Sequence, residues 1–577
     1  MKTPRSLTSV IVLTAVATTC ACRSSRVESA TAGVDRLFAE WNKSDSPGCG
    51  VGISRNGRVV YEHGYGMANL ELGVPITPDS VFAVASVSKQ FTAMSVVLLA
   101  QRGQLSLDDE VRKYVPERPD YGTRLTIRHL LTHTSGLRDG FALLGWAAPS
   151  DGRGDPNEAV LTMLTRQRGL NFTPGTEYQY NNGAYNLLGS LVKRVSGQSL
   201  RAFADANIFN PLGMAHTHFH DDPAMIIPHR ASGYSRAANG WHRAQEASGI
   251  VGNAGVYSTI GDLLQWEQNF ANVRVGTLAL VAAMETPTVL TSGQTSQYGF
   301  GLAIGQYRGA RTVEHAGADS GISSNLVRYP EQRLALAVLC NLDNVDVGGI
   351  ANGIADVYLA DVLKGSPAIG STAPTPHVTL SAGELEGKTG QYLNASSERL
   401  VRVSVRNGAL VLRSFYTDDT DVELTPVTAN RFVIPGATLE FEPATSRRPQ
   451  EWHLLNKEGR QIAELQLNTF VPSPEDLQSS AGDYRSAELD VTYTIATRDA
   501  SLVVQAAGRE DIALHPVLRD VFAGDSVGTV RFTRDARGTV TGFTVNRANA
   551  RGVRFNRIKP AASNTVQPTR IVGRSLA

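Results

Sequence analysis

The 577-residue chain contains little cysteine and carries almost no net charge. Four cysteines in this length exclude a small fold held together by disulfides. Lys and Arg total 55 against 54 Asp and Glu, with no long basic run, so the composition argues against a nucleic-acid partner. The chain also lacks the common metal-binding, phosphate-binding and dinucleotide-binding motifs, and we therefore expect no metal and no cofactor. Its hydrophobic content, 42%, is that of a globular protein.

Residues 1–22 have the pattern of an export signal. Two basic residues precede a mildly apolar stretch at 9–17, which is too short to span a bilayer, and small residues follow. Ordinary cleavage after Ala17 or Ala21 and lipidation of Cys22 at a lipoprotein-type site all fit this pattern. The sequence thus predicts an exported protein that is periplasmic, secreted or attached to the membrane through a lipidated Cys22.

The two cysteines outside the predicted signal region are Cys49 and Cys340. Each lies in an apolar, strand-like run. This context favours buried free thiols. A disulfide would require the two Cα atoms to lie within about 7 Å of each other.

Residues 31–365 alternate between helical and strand patterns. Apolar, strand-like segments lie at both ends of this region, around 51–65 and 324–341, and helical patterns fill the middle. The predicted helices include Ser88–Gln101, Asn186–Val195 and Gly261–Phe270. This order predicts one sheet assembled from both ends of the region, with helices packed around it.

The remainder of the chain differs in composition. Residues 366–376 are rich in Pro, Ser and Thr and are predicted to be a linker. Short alternating strands follow in two segments, 377–471 and 477–560, whose residues correspond at an offset of about 90–92, as in a tandem repeat. We expect two all-β domains with a barrel- or sandwich-like fold and a C-terminal tail over 561–577.

The first candidate for chemistry is Ser86, with Lys89 one helical turn later. A serine hydroxyl is a poor nucleophile unless a base lies beside it, and a buried lysine can serve as that base. Ser190 also precedes a lysine by three residues, but it lies inside an amphipathic helix and we assign it no role. Ser526 lies in a G-x-S-x-G pattern followed by a strand-like run, which is typical of a hairpin turn rather than a nucleophile elbow.

Two further groups could complete a site around this serine. Tyr180 and Asn182 end a turn-rich loop that enters a helix, where a phenol and an amide can point into one cleft. His315 follows a short strand, and Gly317 has no side chain, so the backbone N–H of Ala318 could approach a substrate carbonyl closely.

Taken together, these motifs resemble those of the serine β-lactamase and penicillin-binding-protein superfamily over roughly residues 31–365. The family motifs S-x-x-K, Y-x-N and H-x-G appear as Ser86–Lys89, Tyr180–Asn182 and His315–Gly317. The segment 125–137, which contains L-T-H-T-S-G-L, also looks like this family. The overall layout, with two β-domains after the motif region, is similar to that of bacterial D-aminopeptidases.

The resemblance implies a fold class and a set of roles. The fold would be an α/β catalytic domain, with an antiparallel sheet flanked by helices plus a helical subdomain, followed by two all-β domains. Ser86 would be acylated, Lys89 would accept its proton and Tyr180 would relay protons. Asn182 would position the substrate amide. His315, Gly317 and Ala318 would also contact the substrate. The backbone N–H groups of Ser86 and Ala318 would form the oxyanion hole.

The expected activity is hydrolysis of amide or ester bonds through an acyl-enzyme. Substrates would be D-amino-acid-containing peptides, because His315 replaces the lysine that helps β-lactamases hold a substrate carboxylate. We expect His315 to gain that charge only when it protonates near pH 5.5. The alternatives are a carboxylesterase, a weak β-lactamase, or a binding or sensor module that is acylated without turnover.

Overall fold

The computed structural model describes residues 30–147, 155–245, 249–365, 378–394, 400–414, 421–434, 437–445, 450–455, 461–467, 470–547 and 549–558. The predicted signal at 1–22, the linker at 366–376 and the tail at 561–577 lie outside these residues. The chain divides into two compact units. The first comprises residues 1–141 and 152–376, and the second comprises residues 142–151 and 377–577.

Thirteen strands are found in the described part of the first unit. In chain order they are β1 Cys49–Arg55, β2 Arg58–Tyr65, β3 Met67–Asn69, β4 Val74–Pro75, β5 Phe82–Ala83, β6 His218–Phe219, β7 Tyr234–Ala237, β8 Gly240–Arg243, β9 Val256–Ser258, β10 Ala303–Tyr307, β11 Ala310–Asp319, β12 Ile322–Tyr329 and β13 Leu334–Cys340. Six of them form an antiparallel sheet in the order β10-β11-β12-β13-β1-β2. The sheet therefore joins strands from both ends of the region, as the sequence predicts.

The helices of this unit lie on both faces of the sheet and in a helical region between β5 and β9. In chain order they are α1 30–37, α2 Lys89–Gln101, α3 Ile127–Leu131, α4 Gly140–Trp146, α5 Pro156–Arg166, α6 Asn182–Ser196, α7 Leu200–Ala204, α8 Asn210–Leu212, α9 Ile260–Ala271, α10 Leu278–Met284 and α11 Val347–Tyr358. The last residues of α4 belong to the second unit.

The sheet is buried on both faces. On one face, α1 and α11 pack against apolar residues such as Val51, Val327 and Val338. On the other face, α9 packs against β1 and β13, and α2 packs against α6. α2 has no exposed stripe over most of its length, since every residue from Lys89 to Leu99 is buried. A lysine at the start of such a helix therefore lies inside the protein.

Cys49 and Cys340 form a disulfide, so the interpretation as free thiols is wrong. β1 and β13 are adjacent and antiparallel, and their register places the two cysteines directly opposite each other with their Cα atoms 4.0 Å apart. The sequence did not reveal this pairing because 291 residues separate the two positions. The bond joins two adjacent strands that come from opposite ends of the region in sequence.

The second unit contains two closed eight-stranded barrels, which confirms the fold class. The first consists of β14 Gly390–Leu393, β15 Leu400–Arg406, β16 Ala409–Ser414, β17 Asp421–Pro426, β18 Arg431–Ile434, β19 Ala437–Glu442, β20 Glu451–Leu455 and β21 Gln461–Leu467. The second consists of β22 Gly482–Ser486, β23 Val491–Arg498, β24 Ser501–Ala506, β25 Ile512–Leu518, β26 Val521–Gly524, β27 Gly528–Arg534, β28 Val540–Arg547 and β29 Ala550–Arg557.

The two barrels are built alike. A short helix precedes each one, α12 Ala382–Glu386 and α13 Pro474–Ser480. In the first strand of each barrel a buried tyrosine donates its hydroxyl proton to the carbonyl four residues earlier, Tyr392 in one and Tyr484 in the other. Ser526 lies in the hairpin turn between β26 and β27, as predicted.

Residues 142–147 form part of the second unit because the second barrel binds them. The indole N–H of Trp146 donates to the Ser526 carbonyl at 3.1 Å, and the Tyr493 hydroxyl donates to the Trp146 carbonyl at 2.7 Å. The Arg509 guanidinium also donates to two carbonyls of this segment. Among the described residues, no helix is long and apolar enough to cross a membrane.

The disulfide leads to the first prediction. Replacing both cysteines, Cys49→Ala with Cys340→Ala, removes a cross-link that closes a long loop in the unfolded chain. The free energy of unfolding should fall by about 2–4 kcal/mol. Denaturant unfolding of the two proteins measures this difference, and non-reducing peptide mapping should recover the two cysteine peptides as one linked species. Unlinked peptides in the wild type would contradict the pairing.

Candidate active site

Ser86 lies in a 3₁₀ turn, Ala85–Ser88, that leads directly into α2. The residue before it, Ala85, has a φ of +45°, a conformation that non-glycine residues adopt only at a cost and that often marks a functional site. Ser88 holds the turn in place, because its hydroxyl donates to the Ala85 carbonyl at 2.6 Å and accepts from the Val256 N–H at 3.0 Å. Ser86 is half-buried, so its hydroxyl lies at the edge of the core.

Lys89 is completely buried and makes three hydrogen bonds through Nζ. Its partners are the Ser86 hydroxyl at 3.0 Å, the Asn182 side-chain oxygen at 2.8 Å and the Asn253 backbone carbonyl at 2.8 Å. Burial lowers the pKa of this amine well below its usual value of 10.5, and the charge of Asp139 opposes the shift only in part. The lysine is thus a candidate base.

The three partners of Lys89 determine where a neutral amine must point its lone pair. The oxygens of Asn182 and Asn253 can only accept, so a neutral amine donates its two protons to them. The Ser86 hydroxyl is the one partner that can reverse its role and donate. In the neutral form, therefore, the lone pair of Nζ faces the Ser86 proton, which is the geometry of general-base activation.

Tyr180 lies beside the same pair. The centre of its ring is 4.7 Å from Lys89 Nζ, and the neighbouring Ser86 hydroxyl affects the pKa of its phenol. Burial is the main reason that the pKa of Tyr180 is raised, with the Ser86 hydroxyl opposing it. The phenol is therefore protonated at neutral pH and can donate to the Ser86 oxygen.

Asn182 is the first residue of α6, and a buried carboxylate fixes its position. Asp139 accepts from the backbone N–H groups of Asn182 at 2.7 Å and Gly183 at 3.0 Å. The Asn181 side chain caps the same helix by accepting from the N–H of Ala184. The structure thus brings Ser86, Lys89 and Asn182 into one hydrogen-bonded group, with the ring of Tyr180 beside it.

His315 lies on β11, but both of its ring nitrogens are engaged inside the protein. Nδ1 lies 2.6 Å from the Ala316 carbonyl, and Nε2 lies 2.9 Å from the Tyr298 hydroxyl. Burial, together with the nearby Lys89, lowers the pKa of His315 to about 3. The expectation that His315 gains charge near pH 5.5 is therefore wrong, because the folded protein keeps the ring neutral well below that pH.

Gly317 lies against the nucleophile turn. A Cβ at this position would lie 2.5 Å from the Val84 carbonyl and the Ser324 hydroxyl and 3.0 Å from the Ser86 nitrogen. Only glycine allows β11 to approach the turn this closely. Ala318 follows, exposed and paired with Ser323 near the end of the strand.

Several residues of this site were not identified from the sequence. They are Asp139 and His133 from the region of the L-T-H-T-S-G-L segment, Asn253 from the loop before β9, and Tyr185 and Tyr298, whose rings pack against His133. The L-T-H-T-S-G-L segment contains His133 and could have indicated its role, and Asp139 lies two residues beyond the end of that segment. The others lie in ordinary helix or loop sequence, where nothing indicates a role.

The described residues contain one group of three side chains whose ligand atoms lie within 4.8 Å of one another. It consists of Glu442, Glu451 and His453 in the first barrel. None of the residues around Ser86 belongs to it. The groups that meet at Ser86 are a hydroxyl, an amine, a phenol and an amide, which together suit acyl transfer by proton relay.

The second prediction concerns Gly317. Gly317→Ala should abolish covalent labelling of Ser86 by a fluorescent phosphonate, because the added methyl group displaces either β11 or the nucleophile turn. Gly348→Ala, on α11, is the matched control, since the nearest atom to its Cβ would be 3.7 Å away. Gel fluorescence of the two variants measures the effect. Wild-type labelling of Gly317→Ala would show that the close approach is not needed.

Comparison with known proteins agrees with this geometry. A family model described as Beta-lactamase matches residues 34–359. A D-aminopeptidase of Brucella melitensis biotype 1 is 29% identical over 533 residues, covering 89% of this chain and 96% of the relative. A D-aminopeptidase of Brucella anthropi is 27% identical over 538 residues, with the same coverage.

A solved structure supports the same fold. The octameric penicillin-binding protein homologue from Pyrococcus abyssi matches 84% of this chain and 98% of its own, with a TM-score of 0.52 and 22% identity. The family model covers more than half of the chain and includes every residue of the hydrogen-bonded group around Ser86. The chain therefore belongs to the β-lactamase family and is a serine hydrolase of that fold.

Proposed function

We propose that this serine hydrolase cleaves the amide bond after an N-terminal D-amino acid, through an acyl-enzyme on Ser86. The observation that carries the proposal is the contact between Lys89 and Ser86, where a fully buried amine lies 3.0 Å from the hydroxyl. The curated relatives named D-aminopeptidase cover nearly the whole chain, including the barrels, and they support the substrate class.

Acylation follows from the hydrogen bonds. Lys89 takes the Ser86 proton as Oγ bonds to the substrate carbonyl carbon, and the carbonyl oxygen becomes an oxyanion. The backbone N–H groups of Ser86 and Ala318 stabilise that charge. Tyr180 then donates its proton to the leaving amine as the C–N bond breaks, and recovers a proton from the Lys89 ammonium.

Deacylation reverses these transfers with water in place of the amine. Tyr180 accepts one proton from the water while it passes its own phenol proton to the neutral Lys89 amine, and the water oxygen bonds to the acyl carbon. The bond from that carbon to Ser86 then breaks, and the proton returns to Oγ. The cycle consumes one water molecule, and Lys89 and Tyr180 end it in their starting states.

The state of His315 supports an aminopeptidase over a β-lactamase. Both ring nitrogens are engaged by Tyr298 and Ala316, and the ring is neutral. This position therefore supplies no cation for a carboxylate beside the scissile bond. The binding of substrates without such a carboxylate is not weakened by this, whereas β-lactams and peptides ending in D-Ala-D-Ala lose a favourable ionic contact.

We also propose that the protein works outside the cytoplasm. The disulfide between Cys49 and Cys340 supports this, because such bonds persist mainly in oxidising compartments. Peptide mapping of protein expressed with its own leader in a bacterial host tests the proposal. Recovery of this protein from the cytoplasm with both thiols reduced would contradict it.

The third prediction tests the reaction and the substrate. Ser86→Ala and Lys89→Arg should each lower kcat by several orders of magnitude, because the two residues act as a unit and arginine cannot deprotonate. Ser190→Ala is the matched control, since it removes the serine of the other S-x-x-K pattern. Wild-type kcat/KM should favour D-alanine p-nitroanilide over its L form, over p-nitrophenyl acetate and over nitrocefin.

Other results would point elsewhere. A preference for the acetate ester would identify a carboxylesterase, and a preference for nitrocefin a β-lactamase. A single stoichiometric burst without a steady state would identify an acylated sensor. Full activity in Ser86→Ala would overturn the whole proposal.

A further inference from the structure

A single residue, His133, anchors the backbone on both sides of Tyr180. Its carbonyl accepts from the N–H of Gln179 at 2.9 Å, and its ring nitrogen Nδ1 accepts from the N–H of Asn181 at 3.1 Å. The N–H groups of the residues before and after the tyrosine are therefore both held by one neighbour. This limits the directions in which the Tyr180 side chain can leave the backbone.

The imidazole of His133 also packs against the tyrosine ring itself. The ring centres of His133 and Tyr180 lie 4.4 Å apart, and Tyr298 and Tyr185 contact the same imidazole at 4.7 and 5.0 Å. His133 is fully buried. It fills the space between three phenol rings that line the wall beside Lys89.

The hydrogen bond to Asn181 requires a particular form of this histidine. Nδ1 must be unprotonated to accept, so the neutral ring carries its proton on Nε2. Burial, with the nearby Lys89 and His315, lowers the pKa of His133 well below 6.5 and keeps the ring in that state. A protonated ring would lose the bond and place a buried cation near Lys89.

The loop that carries Tyr180 has other anchors that do not involve His133. The Asn181 side chain donates to the Leu137 carbonyl at 2.6 Å, and the N–H of Gly175 donates to the Thr134 carbonyl at 2.8 Å. These bonds hold the loop in place overall. The contribution specific to His133 is therefore local, at the peptide groups and ring of Tyr180.

We infer that His133 is a positioning residue for proton transfer, which holds the Tyr180 phenol against Ser86. This rests on the acyl-enzyme chemistry proposed above. His133 touches neither Ser86 nor the scissile bond in this account, and it acts through Tyr180 alone. Its removal should lower the rates of proton transfer while leaving substrate binding almost unchanged.

The test compares three replacements in the full-length protein. His133→Leu keeps most of the volume and removes the acceptor, and it should lower kcat by about 10–100-fold, since general acid–base catalysis contributes about 10²–10⁴-fold. His133→Asn places an amide oxygen near the position of Nδ1 and should recover most of that loss. His133→Gln extends its amide towards the position of Nε2 and should not. KM should change by less than about threefold in all three.

His220→Leu is the matched control for loss of a buried imidazole. His220 is 1% exposed and packs on the ring of Tyr257 with centres 5.0 Å apart, but it makes no contact with Tyr180. The kcat of the His220→Leu variant should stay within about threefold of the wild-type value. If His133→Leu does not fold, the comparison between the Asn and Gln variants decides the matter.

A double-mutant cycle provides the sharpest readout. If His133 acts through Tyr180, adding His133→Leu to Tyr180→Phe should lower kcat by less than about twofold further, because the phenol it positions is already absent. Additive losses in the cycle, or an Asn variant no better than the Gln variant, would overturn the inference. Both the inference and the proposed function would fall if the wild type formed no acyl-enzyme on Ser86.

Discussion

The amine of Lys89 is buried at the start of a helix that has no exposed face along most of its length, and the arrangement of the site depends on this burial. Burying an ammonium in that position without a paired anion costs free energy, and the pKa of Lys89 is lowered for this reason. Asp139 is the nearby carboxylate, but two backbone N–H groups of α6 already bind it. This burial supports the proposed role of Lys89 as a neutral base, in which the lone pair has one direction to face, towards Ser86.

The groups around this amine are arranged to remain uncharged. His133 and His315 both have lowered pKa values, in each case through burial first and then through Lys89. Tyr180 and Tyr298 have raised pKa values, chiefly through burial. A wall of neutral rings excludes water from the lysine without adding charge. The same wall leaves the third motif without a cation for a substrate carboxylate.

Local sequence was enough to predict the main helices of the site and the pairing of Ser86 with Lys89. The 3.6-residue period gave helices near Ser88–Gln101 and Gly261–Phe270, and the structure has Lys89–Gln101 and Ile260–Ala271. Ser86 and Lys89 lie one helical turn apart, so their spacing alone brings them together. Tyr180 and Asn182 could be placed beside them only through the family resemblance, because 91 residues separate Lys89 from Tyr180 in the chain.

The features that sequence reasoning missed all depend on long-range register. Cys49 meets Cys340 only because β1 lies beside β13, and Tyr298 meets His315 only because the chain before β10 packs against β11. The charge state of His315 follows from that packing and not from its residue type. A histidine in an open cleft would titrate near pH 6.5, whereas this one is enclosed by Tyr298, Tyr180 and its own strand.

The central claim is that Lys89 is a neutral base at neutral pH, and the pH dependence of acylation tests it directly. The single-turnover rate of acylation by a p-nitrophenyl ester would be measured by stopped flow from pH 5 to 10. A lowered pKa predicts that the rate levels off well below the usual lysine pKa of 10.5, because the amine has by then lost its proton. A rate that climbs about tenfold per pH unit up to pH 10 would show an ammonium with an ordinary pKa and would contradict the account.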